Sequence, residues 1–306
     1  MADIIIIGSG IAGLSASLYS ARYELSTVVI GDILGGATSS AWTVENYPGF
    51  EAIDGYDLIV KVRDQVAKLG VQIATDRVVD IDKIADGFVL KTEAGETHQG
   101  KTVIFAVGAA RRKLNLPKED DFAQGRGVHY CTTCDGPLYK NKTIGVVGGG
   151  DAATKGLVLA SQYAAKIHVF VRSDHLRAGL VNMEHLAEPI KKGQIEIHYH
   201  TEIAELLGDD KLTGVKFKDG KTLELDGLFV EIGAIPEVAL TTKLGIELDE
   251  YGYLRVNNMM ETNVPGTYAA GDTTNFFGHF KQDITAAAMG SVAATSAFNF
   301  IQKHST

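Results

Sequence analysis

Short, uninterrupted apolar runs that end in glycine clusters and are followed by helical stretches set the rhythm of this 306-residue chain. Asp3 to Ile7 reads as a buried strand, Gly8-Ser9-Gly10-Ile11-Ala12-Gly13 as a turn, Leu14 to Arg22 as a helix and Thr27 to Ile30 as the next strand. Apolar residues on consecutive positions suit strands covered on both faces, so a parallel unit is expected. The same order returns after Lys142: strand Thr143 to Val147, turn Gly148-Gly149-Gly150-Asp151-Ala152-Ala153, helix Lys155 to Tyr163, strand Lys166 to Val171. Thr102 to Val107 predicts a further strand ending at Gly108, and the polar stretch Arg111 to Asp120, with Pro117, predicts a crossing linker. Leu228 to Val230 is apolar up to Gly233 and Pro236, after which Glu237 to Glu247 is expected to return the chain to the first domain. The tail from Tyr251 carries Gly271-Asp272 and an Ala-rich helix over Ile284 to Phe300. The pattern predicts an α/β fold with two Rossmann-like three-layer nucleotide-binding domains, the second (116–245) inserted in the first (1–115 and 246–306).

Composition supports this size of core: 45% of residues are hydrophobic, and the length fits two domains better than one. A net charge of -9 argues against surfaces for nucleic-acid phosphates or anionic membranes, both of which favour a positive field. Ile4 to Ile7 runs into a glycine turn rather than a cleavage site, and no continuous apolar stretch of bilayer-spanning length is expected, so a cytoplasmic location is expected.

Each glycine cluster lets the backbone approach a pyrophosphate at the positive end of a helix. Asp32 stands near the distance of a ribose-binding carboxylate, but its place beside Gly31 also suits an ordinary turn residue. Arg172 follows the second strand of the second unit, where an arginine meets a 2′-phosphate, and Arg177 adds a contact if the segment folds back; the plainer reading is two solvated surface arginines. The chain's two cysteines bracket two residues, as Cys131-Thr132-Thr133-Cys134. Such spacing suits a reversible dithiol, because the second sulfur closes the bridge after the first attacks a substrate. Zinc is the competing reading, with His129 as one further ligand, but no second cysteine pair completes a set of four. Asp135 is placed to pass a proton to a departing thiolate, or to cap a helix, and the two roles are compatible. Two nucleotide units beside a dithiol suggest a relay from nicotinamide through a flavin to the disulfide.

Taken in order, Gly8-Ser9-Gly10-Ile11-Ala12-Gly13, Gly35-Gly36, Val44 to Phe50, Tyr130-Cys131-Thr132-Thr133-Cys134-Asp135-Gly136, Gly148 to Ala153, Thr267 to Asp272 and Lys281-Gln282 resemble the low-molecular-weight bacterial thioredoxin reductases, across essentially the whole chain. The resemblance implies FAD held by Gly8, Gly10, Gly13 and Gly35, with Asn46 near the flavin, Gln282 near the isoalloxazine, Lys281 beside it, and Gly271 and Asp272 on the ribityl or pyrophosphate region. It implies NADPH in the inserted domain, on Gly148, Gly150, Arg172 and Arg177. Cys134 then faces the flavin, Cys131 attacks the partner disulfide and Asp135 is the family acid. Homodimers that reduce thioredoxin, with a rotating inserted domain, are also implied. The sequence departs from the family pattern at Ser173, where a second arginine is common, at Lys155 and Gly156, where two glutamates are common, and at Lys281, where arginine is common. These changes bear on the electron donor, so NADH, reduced flavin or ferredoxin stand as alternatives to NADPH, and a flavin-dependent dithiol oxidase as an alternative activity.

Overall fold

The computed structural model describes residues 1–39, 41, 43–177, 180–236, 238–278 and 280–304; Glu237, where the returning stretch was expected to begin, lies outside them. The chain divides into one unit formed by residues 1–110 and 235–306 and a second formed by 111–234.

In the first unit the strands Gln72–Ala74, Thr27–Ile30, Ala2–Ile7 and Thr97–Phe105 lie side by side in parallel. Thr97–Phe105 is shared: its first half pairs antiparallel with Gly87–Thr92, and its second half pairs in parallel with Thr267–Ala269. The apolar run at the N-terminus divides between two cores because successive side chains alternate across a strand. Ile4 and Ile6 pack with the helices Ile11–Arg22 and Asp283–His304, while Ile5 and Ile7 pack with Phe88, Leu90 and Ile246 on the opposite face. Gly55–Ala67 is a third helix on the first face, and its N-terminus is capped by Asp54, whose carboxylate accepts from the amides of Tyr56 and Asp57.

The second unit holds a five-stranded parallel sheet in the order Val128–His129, Gly227–Val230, Thr143–Val147, Lys166–Val171, Ile195–Tyr199. Ile144, Val146, Ile167 and Val169 face a core shared with Leu157 and Leu186, which lie on the helices Asp151–Ala160 and Leu180–Lys191. Phe170, Leu228 and Val230 face a second core under the antiparallel strands Ile203–Leu207, Gly214–Phe217 and Thr222–Glu224.

The structure moves several boundaries. Both helices after the glycine turns begin earlier than expected, at Ile11 and Asp151, because the last three residues of each turn already belong to the helix. The strand expected over Thr102 to Val107 is Thr97–Phe105, extended backwards by its antiparallel partner. The crossings between units fall at 110/111 and 234/235 rather than at 115/116 and 245/246. Leu114 and Leu116 already pack on the second unit, whereas Leu240, Leu244 and Ile246 already pack on the first. The two crossing segments, Ala109–Arg111 and Ala234–Pro236, pair with each other. The tail helix Asp283–His304, 22 residues long, is by length and composition alone long and apolar enough to cross a membrane, although Thr285, Ser291, Thr295, Ser296 and Asn299 interrupt its apolar run, so no continuous apolar stretch of that length occurs in it. Its apolar length is explained by burial: Met289, Ala293, Ala294, Ala297 and Ile301 sit in the core of the first unit.

Candidate active site

Cys131 and Cys134 form a disulfide with their Cα atoms 5.3 Å apart. Cys131 is the N-cap of the short helix Thr132–Asp135, and both sulfur-bearing residues are partly exposed. The helix is anchored at Thr132, which is 1% exposed. Its backbone amide and its hydroxyl both donate to the Glu231 carboxylate, each at 2.9 Å. Glu231 follows the strand Gly227–Val230, so a neighbouring sheet strand ends in the acceptor that holds the dithiol loop. On the other side Tyr163 donates its hydroxyl to the Thr132 carbonyl at 3.4 Å, and a Cβ on Gly156 would stand 2.8 Å from the Thr132 hydroxyl oxygen. That close approach leaves little room at position 156 for a residue larger than glycine.

Asp135 does not cap the following turn Gly136–Tyr139 with its side chain. Its carboxylate lies 3.1 Å from His129 Nδ1, and His129 Nε2 lies 2.7 Å from the Tyr139 hydroxyl. Chemically, such a bridge can take up two electrons, and a carboxyl beside it can pass a proton. His129 is engaged on both ring nitrogens by this network, which argues against the zinc reading.

The first glycine turn is shaped by close approach. Gly8 has φ +108°, and a Cβ there would lie 2.2 Å from the Ala106 carbonyl oxygen; one on Gly13 would lie 1.9 Å from the Gly8 carbonyl oxygen. Gly10 caps Ile11–Arg22 without a side-chain hydrogen bond, no acid stands in the first turn, and only the Gly35 carbonyl oxygen, at 3.8 Å, would approach its Cβ. A helix end with no competing carboxylate in its first turn fits a diphosphate. Asn46 donates to Gln282 at 3.0 Å, so two residues 236 positions apart meet. Lys281 donates its ammonium to the Thr274 carbonyl and lies 4.4 Å from the Tyr253 ring centroid. Gly271 and Asp272 form a short turn with Thr273, whose buried hydroxyl has no partner among the described residues. Nearby, burial pushes the Asp283 carboxyl up, against the Thr38 hydroxyl that donates to it at 2.6 Å, with Asp272 adding to the rise. Burial, followed by the Asp283 charge, likewise pushes the Tyr47 phenol up.

In the second unit Gly150 caps Asp151–Ala160, again with no side-chain bond, and a Cβ there would meet nothing within 4 Å. The Arg177 amide donates to the Gly149 carbonyl at 2.6 Å, so the segment after Lys166–Val171 folds back over the glycine turn, with the Arg172 and Arg177 side chains exposed. The donor atoms of His168, Glu196 and His198 also come within 4.8 Å of one another. There the two imidazoles bond at 3.0 Å and Lys166 occupies Glu196 at 2.9 Å, so the cluster is closed on itself.

A profile of the pyridine nucleotide-disulphide oxidoreductases matches residues 2–291. The chain belongs to this family. It is 38% identical to the thioredoxin reductase of Streptomyces clavuligerus over 98% of this chain and 94% of that one. Its fold matches the crystal structure of thioredoxin reductase from Streptococcus pyogenes with a TM-score of 0.89, at 31% identity, over 99% of both chains. It matches thioredoxin reductase from Giardia duodenalis with a TM-score of 0.88, at 32% identity, over 98% of this chain and 99% of that one.

As a pyridine nucleotide-disulphide oxidoreductase, the chain carries a redox-active disulfide at Cys131 and Cys134. Among the residues expected at the two turns, the structure brings Gly8, Gly10, Gly13 and Gly35 together in the first unit, and Gly148, Gly150 and Arg177 together in the second. Sequence reasoning missed Glu231, Thr38 and Asp283, and gave His129 no role beside Asp135. Glu231 follows one apolar strand and His129 ends another, whereas Thr38 and Asp283 lie on two helices that meet only in the fold, so no local pattern marks that last pair.

Proposed function

We propose that this chain is a FAD-dependent thioredoxin-disulfide reductase that takes electrons from NADPH and delivers them through Cys131 and Cys134 to a thioredoxin-like protein. The observation that carries this reading is the closed Cys131–Cys134 bridge on a short helix held by Glu231, with Asp135 directly after it. NADPH supplies a hydride and FAD, when bound, passes its two electrons on to the disulfide. Gly8, Gly10, Gly13 and Gly35 cradle the FAD diphosphate, Gly271 and Asp272 hold its ribityl region, and Asn46, Lys281 and Gln282 border the ring. Gly148 and Gly150 take the NADPH diphosphate, with Arg172 and Arg177 on its 2′-phosphate.

Arrival of two electrons breaks the S–S bond, and Asp135 gives a proton to one sulfur. The Cys131 thiolate then attacks the partner disulfide, forming a mixed disulfide and releasing one partner sulfur. Cys134 attacks Cys131, re-forms the bridge and frees the partner as a dithiol. A reducing compartment such as the cytoplasm suits this direction of flow, and a homodimer is the assembly we propose. Reduced flavin or ferredoxin as donor is suggested only by Ser173, Lys155 and Gly156, whereas Gly156 is explained by Thr132 packing and the open turn at Gly150 suits a nucleotide.

Anaerobic stopped-flow mixing tests the donor and the thiol together. NADPH should bleach the flavin of wild type and of Cys131→Ser alike, while Cys131→Ser loses thioredoxin reduction. Lack of bleaching by either nicotinamide would remove the donor assignment, and full turnover in Cys131→Ser would remove the attacking thiolate.

A further inference from the structure

We propose that His129 is the positioning residue for Asp135, and that Tyr139 sets which ring nitrogen of His129 carries the proton. This rests on the reading of Cys131 and Cys134 as a working dithiol and deepens it.

His129 ends the strand Val128–His129, two residues before Cys131, and is 8% exposed. Its ring stacks on Phe229 with centroids 5.1 Å apart, and Tyr139 meets it edge-on at 5.2 Å. A Cβ on Gly227 would fall 2.3 Å from the Tyr139 ring, so the phenol fills space that any larger residue would take. The imidazole is thereby held between two fixed partners, Asp135 Oδ2 at 3.1 Å and the Tyr139 hydroxyl at 2.7 Å. Burial, then the Asp135 and Asp226 carboxylates, push the Tyr139 phenol up to about 12, so at neutral pH it keeps its proton and is able to donate. When it donates to Nε2, the imidazole proton stands on Nδ1 and points at Asp135. Among the described residues, the charged groups facing this network are those two carboxylates and the Lys142 ammonium, 5.5 Å from the Tyr139 ring centroid; Phe229, from the neighbouring strand, adds none.

The chemical consequence concerns one proton. As the bridge opens, a nascent thiolate takes up one proton by way of Asp135, whose carboxylate before and after the transfer is met by the Nδ1–H aimed at it. When the bridge closes again, the proton leaves by the same route. His129 is bonded to Asp135, and it acts through that carboxyl. The orienting group sits behind the acid, and a phenol sits behind the orienting group.

Reduction of the flavin-loaded enzyme by dithiothreitol, quenched by alkylation, isolates this step. One reagent thiolate attacks Cys131 and Cys134 leaves as a thiolate; the second reagent thiol closes its own ring and releases Cys131. Rates between pH 6 and 9 would be compared for wild type, His129→Leu, His129→Asn, Tyr139→Phe, Asp135→Asn and the doubles with Asp135→Asn. We expect His129→Leu to slow reduction about tenfold and displace the acid limb of the profile, with His129→Asn, which keeps a donor near Nδ1, recovering part of the rate. In the Asp135→Asn background the same change should cost less than about twofold, the non-additivity of groups acting in series. Tyr139→Phe removes a single oxygen and should act in the same direction, again only when Asp135 is present. Equal slowing with and without Asp135, or an unchanged pH profile, overturns the proposal; should His129→Leu fail to fold or to hold flavin, Tyr139→Phe decides by the same criterion. Because dithiothreitol replaces both nucleotide and thioredoxin, wild type that cannot reduce thioredoxin with NADPH would sink the functional reading while leaving this cycle interpretable.

Discussion

His168 carries a proton equilibrium that the fold has shifted. Burial pushes its imidazole below the usual 6.5; the Glu196 carboxylate opposes this, and His198 and Lys166 add to it. A histidine whose folded value is depressed leaves stability untouched while both states are neutral. Stability falls as pH drops through the unfolded value, because the unfolded chain takes the proton first. We therefore expect the urea midpoint of wild type to fall between pH 7 and pH 5.5 more steeply than that of His168→Gln. The extra slope is at most about 1.4 kcal/mol per pH unit for one group. Parallel profiles for the two proteins would show that His168 carries no such linkage. Glu231 works differently at the same scale: it meets two donors of Thr132 at once, and so ties a loop to a strand end.

Among the elements, the helix pair Ile11–Arg22 and Asp283–His304 sets how the first glycine turn is presented. Their approach is close enough that a Cβ on Gly290 would lie 2.1 Å from the Ala12 carbonyl oxygen. Ser15 donates to the Ala287 carbonyl at 2.7 Å, Tyr23 bonds Thr295 at 3.0 Å, and Tyr23 stacks on Phe298 with centroids 4.7 Å apart. Gly290→Ala should force the helices apart at the turn, at roughly 1–3 kcal/mol, and loosen flavin retention. A denaturation midpoint and flavin content equal to wild type would contradict this. The spacing of small residues in the tail helix was visible in the sequence as an Ala-rich stretch, but its partner was not, since the two helices are separated by more than two hundred residues of chain.

For the whole molecule, the insertion has a direct consequence. Residues 111–234 are continuous in sequence and contain two cores of their own on either side of one sheet, whereas the first unit needs both ends of the chain. An excised 111–234 fragment should fold cooperatively and form the Cys131–Cys134 bridge, read by urea unfolding and by mass after alkylation. Residues 1–110 alone should not fold, because Thr267–Ala269 and the tail helix complete their sheet and core. A non-cooperative transition in the 111–234 fragment would mean that the unit depends on the other half of the chain.

Much of this architecture was legible locally. Ile4 to Ile7 and Ile144 to Val147 announce buried strands because consecutive apolar side chains need cover on two faces, and the glycines after them announce turns because only glycine fits where backbone meets backbone. The spacing of Cys131 and Cys134 announced a dithiol, since two sulfurs three positions apart close a bridge within one helical turn. Tertiary structure decided what surrounds them. The 110/111 and 234/235 crossings depend on which core Leu114 and Leu244 join; the partner of Thr132 arrives from the end of a distant strand, and that of Asp135 from the short strand just before the dithiol. Contacts such as Glu231 to Thr132 and Asn46 to Gln282 leave no periodic trace, because they are made by single side chains that the fold alone brings within a hydrogen bond of each other.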